Sequence, residues 1–113
     1  MKNNIVALLG LFIIFYCNYV RAEPGTILIL SPHNFATINQ HDDVELNYEV
    51  TPGTQDDTLH LFVDGWHEGI LRQLKGRANL GTLKPGVHHI CLTINTKEQA
   101  PTGVEECVEI TSK

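Results

Sequence analysis

The sequence predicts an all-β protein, an immunoglobulin-like antiparallel β-sandwich of about seven strands, and three observations support this prediction. Turn-forming residues (Gly, Pro, Asn and Asp) recur about every ten residues from residue 31 onwards. The short runs between these turns alternate apolar and polar residues, as strands with one buried face do. No stretch in this part of the chain has the period of about 3.6 residues that marks an amphipathic helix. Short strands at regular spacing are typical of a sandwich.

Residues 1–22 are predicted to be a cleaved signal peptide, which leaves residues 23–113 as a single domain. Lys2 gives the start of the chain a positive charge, and the apolar run that follows is shorter than the roughly 18 residues that a membrane-spanning helix needs. Val20 and Ala22 occupy positions −3 and −1 relative to the predicted cleavage site, where signal peptidase requires small or aliphatic residues. An uncleaved N-terminal anchor is the alternative. After cleavage, we expect a periplasmic or secreted protein with no stable membrane insertion.

Cleavage would change the composition of the protein. The whole chain has 113 residues, with 8 Lys and Arg, 13 Asp and Glu, and a formal charge of −5. Loss of Lys2, Cys17 and Arg21 leaves 6 basic against 13 acidic residues, a charge of −7, and two of the 3 Cys. Such an acidic domain does not favour nucleic acid or an anionic membrane surface as a partner. The length excludes a two-domain enzyme, and no P-loop or Gly-x-Ser-x-Gly motif occurs, so we expect no enzymatic activity.

The first three strands are expected at residues 26–30, 44–50 and 58–64. Residues 26–30 are continuously apolar, as a buried first strand is. The other two strands alternate, and in the third His60 and Phe62 face outward. The same alternation places one set of side chains inward: Val44, Leu46, Tyr48, Val50, Leu59, Leu61 and Val63.

The next elements follow from turn chemistry. Asp64-Gly65 predicts a two-residue type I′ hairpin, because both central residues of that turn need positive φ. The strand after this turn would run from Trp66 to about Leu71. Lys75-Gly76 then indicates a turn, and residues 78–83 a short strand.

The last two strands are expected at residues 87–95 and 104–111, and each carries a cysteine that is out of phase with the apolar residues. If the two strands pair symmetrically about residue 99, Cys91 faces Cys107 on the outer side of the hairpin. We therefore predict a Cys91–Cys107 disulfide, which would stabilise a small exported domain. A redox or metal-binding thiol pair is the alternative, and the absence of a Cys-x-x-Cys motif argues against it. The same register pairs Thr93 with Glu105 and His89 with Glu109.

Six histidines in so short a domain raise the question of a metal site. In an immunoglobulin-like sandwich the third, sixth and seventh strands are neighbours, which would place His60 and His89 on one outer face. Imidazoles on one sheet face could hold copper or zinc as a cofactor. The alternative is that these residues are solvated surface histidines. His33, His41 and His67 are predicted to lie in loops, where no ligand set can be assigned.

Two aromatic residues, Phe62 and Trp66, are candidate ligand contacts. They flank the predicted Asp64-Gly65 turn, and together they could form an apolar patch for a partner. Packing within the hairpin or the core is the alternative for Trp66. The acid pairs Asp42-Asp43 and Asp56-Asp57 are predicted to cap turns rather than to act as an acid and a base.

Residues 59–65 (LHLFVDG) and residues 80–88 (LGTLKPGVH) resemble small bacterial periplasmic immunoglobulin-like domains. Such domains carry an Asp-Gly hairpin and then a Leu-x-Pro-Gly-x-His corner before the penultimate strand, and the Ser31-Pro32 opening fits as well. The resemblance implies a β-sandwich that serves as a binding or accessory module. Some relatives of this shape are His-rich and tied to copper handling. This chain has no Met-rich segment, however, which argues against a Cu(I) site of the Met type.

The sequence thus indicates an exported, non-enzymatic binding or accessory module that acts through contact with a protein partner in the cell envelope. A copper- or zinc-binding protein that uses His60 and His89 is the first alternative. A carbohydrate-binding module that uses Trp66 is the second.

Overall fold

The computed structural model describes residues 24–113, which form eight β-strands and no α-helix. The predicted signal peptide, residues 1–22, lies outside the described residues. Within residues 24–113, no helix is long and apolar enough to cross a membrane. The strands are β1 (Thr26–Ser31), β2 (Ala36–Ile38), β3 (Glu45–Thr51), β4 (Thr58–Val63), β5 (Trp66–Leu71), β6 (Lys75–Asn79), β7 (Gly86–Asn95) and β8 (Pro101–Ser112).

The strands form two sheets that pack face to face. The smaller sheet has the order β1-β3-β6, and the larger has the order β2-β8-β7-β4-β5. All neighbouring strands are antiparallel except β2 and β8, which are parallel. The prediction of an all-β sandwich is therefore confirmed, with eight strands instead of about seven.

The core lies between the sheets and consists of side chains that alternate along β3, β4, β7 and β8. A strand buries every second side chain, so a half-buried strand needs apolar residues only at alternate positions. The inward faces predicted for β3 and β4 are confirmed. The buried apolar residues are Val44, Leu46, Tyr48, Val50, Leu59, Leu61, Val63, Ile90, Leu92, Ile94, Val108 and Ile110.

Strand β1 differs from its prediction as a buried strand. Ile27 and Ile29 pack against the core, but Leu28 is 53% exposed and Leu30 is 45% exposed. The reason is that β1 is an edge strand of the three-stranded sheet, and the outer face of that sheet meets solvent. A continuous apolar run therefore does not imply burial on both faces here.

Strand β6 begins three residues earlier than predicted, at Lys75, and ends at Asn79. The predicted Lys75-Gly76 turn is thus wrong, because Gly76 pairs with Tyr48 inside the sheet. A Cβ atom on Gly76 would come within 2.7 Å of the Gln73 side chain, so the glycine marks a close approach instead of a turn.

Strand β2 was not predicted, because three residues are too few to show a periodic pattern. It adds to the free edge of β8, where Ala36 pairs with Ile110. The Lys113 amide donates a hydrogen bond of 2.9 Å to the Ile38 carbonyl and extends the contact. The segment after β1 therefore crosses from the small sheet to the large one.

Candidate functional site

Three adjacent strands of the larger sheet carry all the predicted functional residues except Trp66, which lies on β5. We call the outward side of β4, β7 and β8 the outer face. Strand register aligns its side chains in rows across the three strands. The rows are His60–Thr93–Glu105 and Phe62–Cys91–Cys107, followed on β7 and β8 by His89–Glu109. The predicted pairing of β7 with β8, including the pairs away from the cysteines, is confirmed.

The disulfide at the centre of the outer face joins Cys91 to Cys107, as predicted. The two residues are directly opposite each other, with their Cα atoms 4.1 Å apart. Because the sulfur atoms are bonded to each other, they are not free thiolates for a metal or a redox exchange. The bridge therefore fixes the register of two of the three strands that form the outer face.

A shallow apolar depression lies beside the disulfide. Its volume is about 320 Å³, and it is open to solvent on one side. The half-buried ring of Phe62 and the disulfide supply apolar surface, and the carboxylate of Glu105 lies at its margin. The lining residues are Phe62, Gly65, Cys91, Thr93, Asn95, Pro101 and Glu105.

The outer face has an unbalanced charge. None of strands β4, β7 and β8 contains Lys or Arg, whereas β8 places Glu105 and Glu109 on the outer face, opposite Thr93 and His89 of β7. The outer side of the small sheet is different, because its charges are paired. There, Lys75 lies 3.2 Å from Glu49, and the Arg77 Nε atom lies 3.4 Å from Glu45.

His60 belongs to a histidine pair that the sequence did not indicate. Its Nδ1 atom lies 2.9 Å from Nε2 of His67, and its Nε2 atom lies 2.9 Å from Oε1 of Gln99 and 3.0 Å from Oγ1 of Thr58. His60 is only 6% exposed although it is on the outer side of the sheet. The segment that precedes β8 covers it, since Gln99 lies there.

A β-bulge between β4 and β5 determines where His67 lies. The strand register shifts by one residue between Leu61 and Phe62, so that His67 lies opposite Phe62 and Ile70 lies opposite His60. His67 thus lies in a strand, which corrects its predicted place in a loop. Its ring meets Phe62 edge to face, with centroids 5.2 Å apart. Bulges of this kind commonly re-aim side chains beside functional sites.

The structure does not bring His60 and His89 together. His60 pairs with Thr93, which is four residues from His89 on β7, and four strand residues span about 13 Å. The Nε2 atom of His89 lies 3.1 Å from Glu109 Oε1. The metal site predicted from this pair is therefore not formed, because both residues face outward but at separate rows of the sheet.

Phe62 and Trp66 do not form the predicted common patch. Trp66 pairs with Val63, whose side chain points into the core, whereas Phe62 points outward. Trp66 is 77% exposed, so packing within the core or the hairpin does not account for it. Of the two candidate contact residues, only Phe62 belongs to the outer face.

Turn-capping by an acidic residue is seen at Asp57. Its carboxylate accepts hydrogen bonds of 3.0 Å from the Gly53 and Thr54 amides and of 2.9 Å from the Thr54 hydroxyl. The pKa of Asp57 is lowered from its ordinary value, and the hydrogen bond from the Thr54 amide is the main cause. These hydrogen bonds account for the position of Asp57 as a turn cap.

No protein-family model and no curated protein sequence matches the chain. Solved structures nevertheless share its fold. The fibronectin(III)-like modules of CbhA from Clostridium thermocellum are 15% identical, with a TM-score of 0.62 over 78% of this chain and 96% of that one. A protein from Corynebacterium diphtheriae named as membrane-anchored is 16% identical, with a TM-score of 0.57 over 80% of this chain and 21% of that one.

A third similar structure is the extracellular domain of a one-component system from B. thetaiotaomicron. It is 12% identical, with a TM-score of 0.54 over 86% of this chain and 16% of that one. Identities this low establish fold alone. The chain therefore has the fold of a fibronectin(III)-like, immunoglobulin-like β-sandwich.

Proposed function

We propose that the protein is an exported, non-enzymatic binding or accessory module that acts through protein contact in the periplasm or outside the cell. The observation that carries this proposal is the outer face, which combines an apolar depression with the carboxylate of Glu105 on strands that contain no Lys or Arg. Phe62 and the disulfide supply the apolar surface, and Glu105 lies beside them. A partner that presents an apolar side chain next to Lys or Arg would complement this surface.

The rigidity of the outer face supports the proposal. The Cys91–Cys107 bridge holds β7 against β8, so the depression exists before a partner arrives. A preformed surface loses less conformational entropy on binding than a flexible one. The outer side of the small sheet offers a basic partner less negative charge, because Glu45 and Glu49 are already paired with basic residues of β6.

Export is supported by the disulfide and by the kind of protein that shares the fold. Structural disulfides persist in oxidising compartments and are rare in the cytosol. The structures similar in fold include an extracellular domain and a protein named as membrane-anchored. An exported domain of this kind would meet its partner in the cell envelope.

Site-specific photo-crosslinking tests the proposed binding face. A photoreactive phenylalanine at Thr93, in the depression, is expected to give an adduct with one envelope protein in the native cell. The matched control is the same residue at Leu28, which is exposed on the outer side of the small sheet. We expect no adduct from position 28, and we expect Glu105→Lys to abolish the adduct from position 93. Equal adducts from both positions, or none from position 93, would contradict the proposal.

Trp66 supports a second candidate, a carbohydrate-binding module. Its exposed indole, next to the Asp64-Gly65 turn, offers a flat amphipathic ring to a ligand. A glycan array probed with the wild type and with Trp66→Ala separates the two functions. A glycan signal that disappears in Trp66→Ala would favour carbohydrate binding, whereas protein contact through the outer face predicts no glycan signal.

A further inference from the structure

We propose that His60 and His67 together bind one divalent transition-metal ion of the copper(II) class, through Nδ1 of His60 and Nε2 of His67. These two nitrogen atoms lie 2.9 Å apart at the junction of β4 and β5. The inference is independent of the protein-contact function, because it rests on these two rings and their neighbours. It also differs from a site built on His89, which lies in another row of the sheet.

The affinity of nitrogen ligands for divalent metals favours copper(II) over zinc. Imidazole nitrogens bind such metals at about 2.0–2.1 Å. Two ligands at a right angle, as in a square-planar or tetragonal copper(II) site, are then about 2.8–3.0 Å apart. Two ligands of a tetrahedral zinc ion are about 3.3–3.4 Å apart. The observed 2.9 Å is the length of the hydrogen bond between the two rings, and it also lies in the tetragonal range, so both nitrogens could reach one copper(II) ion with little movement. Copper(II) also binds nitrogen ligands more tightly than zinc does.

The neighbours of His60 hold its ring in the form that a metal requires. Oε1 of Gln99 can only accept a hydrogen bond, so Nε2 of His60 carries the proton at this contact. Nδ1 of His60 then accepts a hydrogen bond from Nε2 of His67, and a metal ion would take the place of that proton, which His67 can carry on its Nδ1 atom instead. Metal-binding histidines are usually oriented in this way by a hydrogen bond to the opposite nitrogen.

The surroundings of the pair are compatible with a cation. Strands β4 and β5 contain no Lys or Arg, so neither strand repels a metal ion. His67 is exposed and can turn to direct its lone pair at an ion, whereas His60 is buried and fixed. The ring of Phe62 meets the ring of His67 edge to face and limits the directions in which His67 can turn.

The remaining coordination positions would be open. Among the described residues, the only group of three or more His, Cys, Asp and Glu side chains close enough to share an ion is Cys91, Glu105 and Cys107, and its thiols are oxidised. Water would therefore complete the coordination of a metal bound by His60 and His67. We expect a single site of modest affinity whose water ligands can exchange.

Titration with copper(II) tests the proposal on oxidised protein produced from the full chain. Calorimetry is expected to show one copper(II) per chain, and electron paramagnetic resonance to show a tetragonal signal split by two nitrogen ligands. Removal of one ligand in His67→Ala should weaken binding by about 100-fold, and removal of the orienting amide in Gln99→Ala by about 10-fold. The matched control is His89→Ala, whose affinity should equal that of the wild type.

His67 is the better residue to change, because it is exposed and its loss should not disturb folding. The melting temperature without metal checks this, and His67→Gln provides a second variant that keeps a polar side chain. Absence of copper binding, unchanged affinity in both His67 variants, or an equal loss in His89→Ala would overturn the proposal. Tighter binding of zinc than of copper by the wild type would overturn the assigned metal class.

Discussion

His88 and Asp64 form a short ion pair that joins β7 to the turn between β4 and β5. Nδ1 of His88 lies 2.6 Å from Asp64 Oδ2, and Nε2 lies 2.6 Å from the Lys84 carbonyl oxygen. Both partners are hydrogen-bond acceptors, so the two contacts are made together only when both ring nitrogens carry a proton, as in an imidazolium. The hydrogen bond to Asp64 is the main reason that the pKa of His88 is raised above its ordinary value of 6.5.

The Asp64 carboxylate is held by the same contacts. Partial burial by itself would raise its pKa, but the hydrogen bonds from His88 and from the His89 amide, which is 2.8 Å away, more than offset this. The net result is a pKa below the ordinary value of 3.8. Folding thus favours the charged form of both residues.

This pair predicts how stability changes with pH. A raised His88 pKa stabilises the fold below pH 6.5, and the gain is lost as the pH rises through the folded pKa. A lowered Asp64 pKa stabilises the fold above pH 3.8, and the gain is lost as the pH falls through the folded pKa. Asp64→Asn should therefore lower the free energy of unfolding most between these values, by about 1 kcal/mol because the carboxylate is partly exposed.

Urea denaturation of the wild type and Asp64→Asn at a series of pH values measures this difference. Glu109→Gln is the matched control, since Glu109 contacts the exposed ring of His89 and should contribute less. A difference between wild type and Asp64→Asn that is the same at pH 5 and pH 9 would contradict the role of the ion pair.

The β4–β5 hairpin is the element whose turn type follows most directly from its residues. Asp64 and Gly65 have φ values of 53° and 82°, as a type I′ turn requires, so the sequence prediction for this turn is confirmed. The turn positions Asp64 for its contact with His88. It also sets the start of β5, where Trp66 pairs with Val63 and His67 with Phe62. One local backbone conformation therefore determines the position of several surface side chains.

Gly65→Ala is expected to destabilise the protein by about 1 kcal/mol, because an alanine at positive φ is strained. A Cβ atom at this position would meet no neighbour within 4 Å, so the cost is conformational and not steric. Gly69→Ala in β5 is the matched control, because it too has open space but no positive φ. Urea denaturation should show a change below about 0.5 kcal/mol for the control, and equal losses in the two variants would be inconsistent with turn strain.

The whole molecule is a small domain in which one covalent bond contributes a large fraction of the stability. A domain of this size has a free energy of unfolding of about 5–15 kcal/mol. The disulfide joins cysteines 16 residues apart and restricts the unfolded chain, which corresponds to about 3 kcal/mol.

Removal of the bridge in a Cys91→Ser, Cys107→Ser double variant should lower the free energy of unfolding by about 3 kcal/mol, because the unfolded chain gains entropy. Reduced wild-type protein should show the same loss in urea denaturation. Retention of full stability after reduction would show that the bridge does not stabilise the fold. The photo-crosslinking signal from position 93 should also fall in the double variant, because the outer face would lose its fixed register.

The sequence by itself determined which side chains of β3 and β4 face the core and which cysteines pair. Side chains alternate between the two faces of a strand with a period of two, and a hairpin with symmetrical register fixes each cross-strand pair. The core along β3, the Asp64-Gly65 turn and the pairing of Cys91 with Cys107 all follow from such local rules. These features depend on neighbours in the chain and so can be derived without the fold.

Only the tertiary structure decided which strands lie at an edge and which histidines meet. The exposure of Leu28 depends on the place of β1 in its sheet, and β2 exists because β8 offers a free edge. The pairing of His60 with His67 depends on a one-residue bulge, and its burial depends on Gln99, which is 39 residues away in the chain. Such contacts have no period in the sequence, because they arise from where distant segments pack.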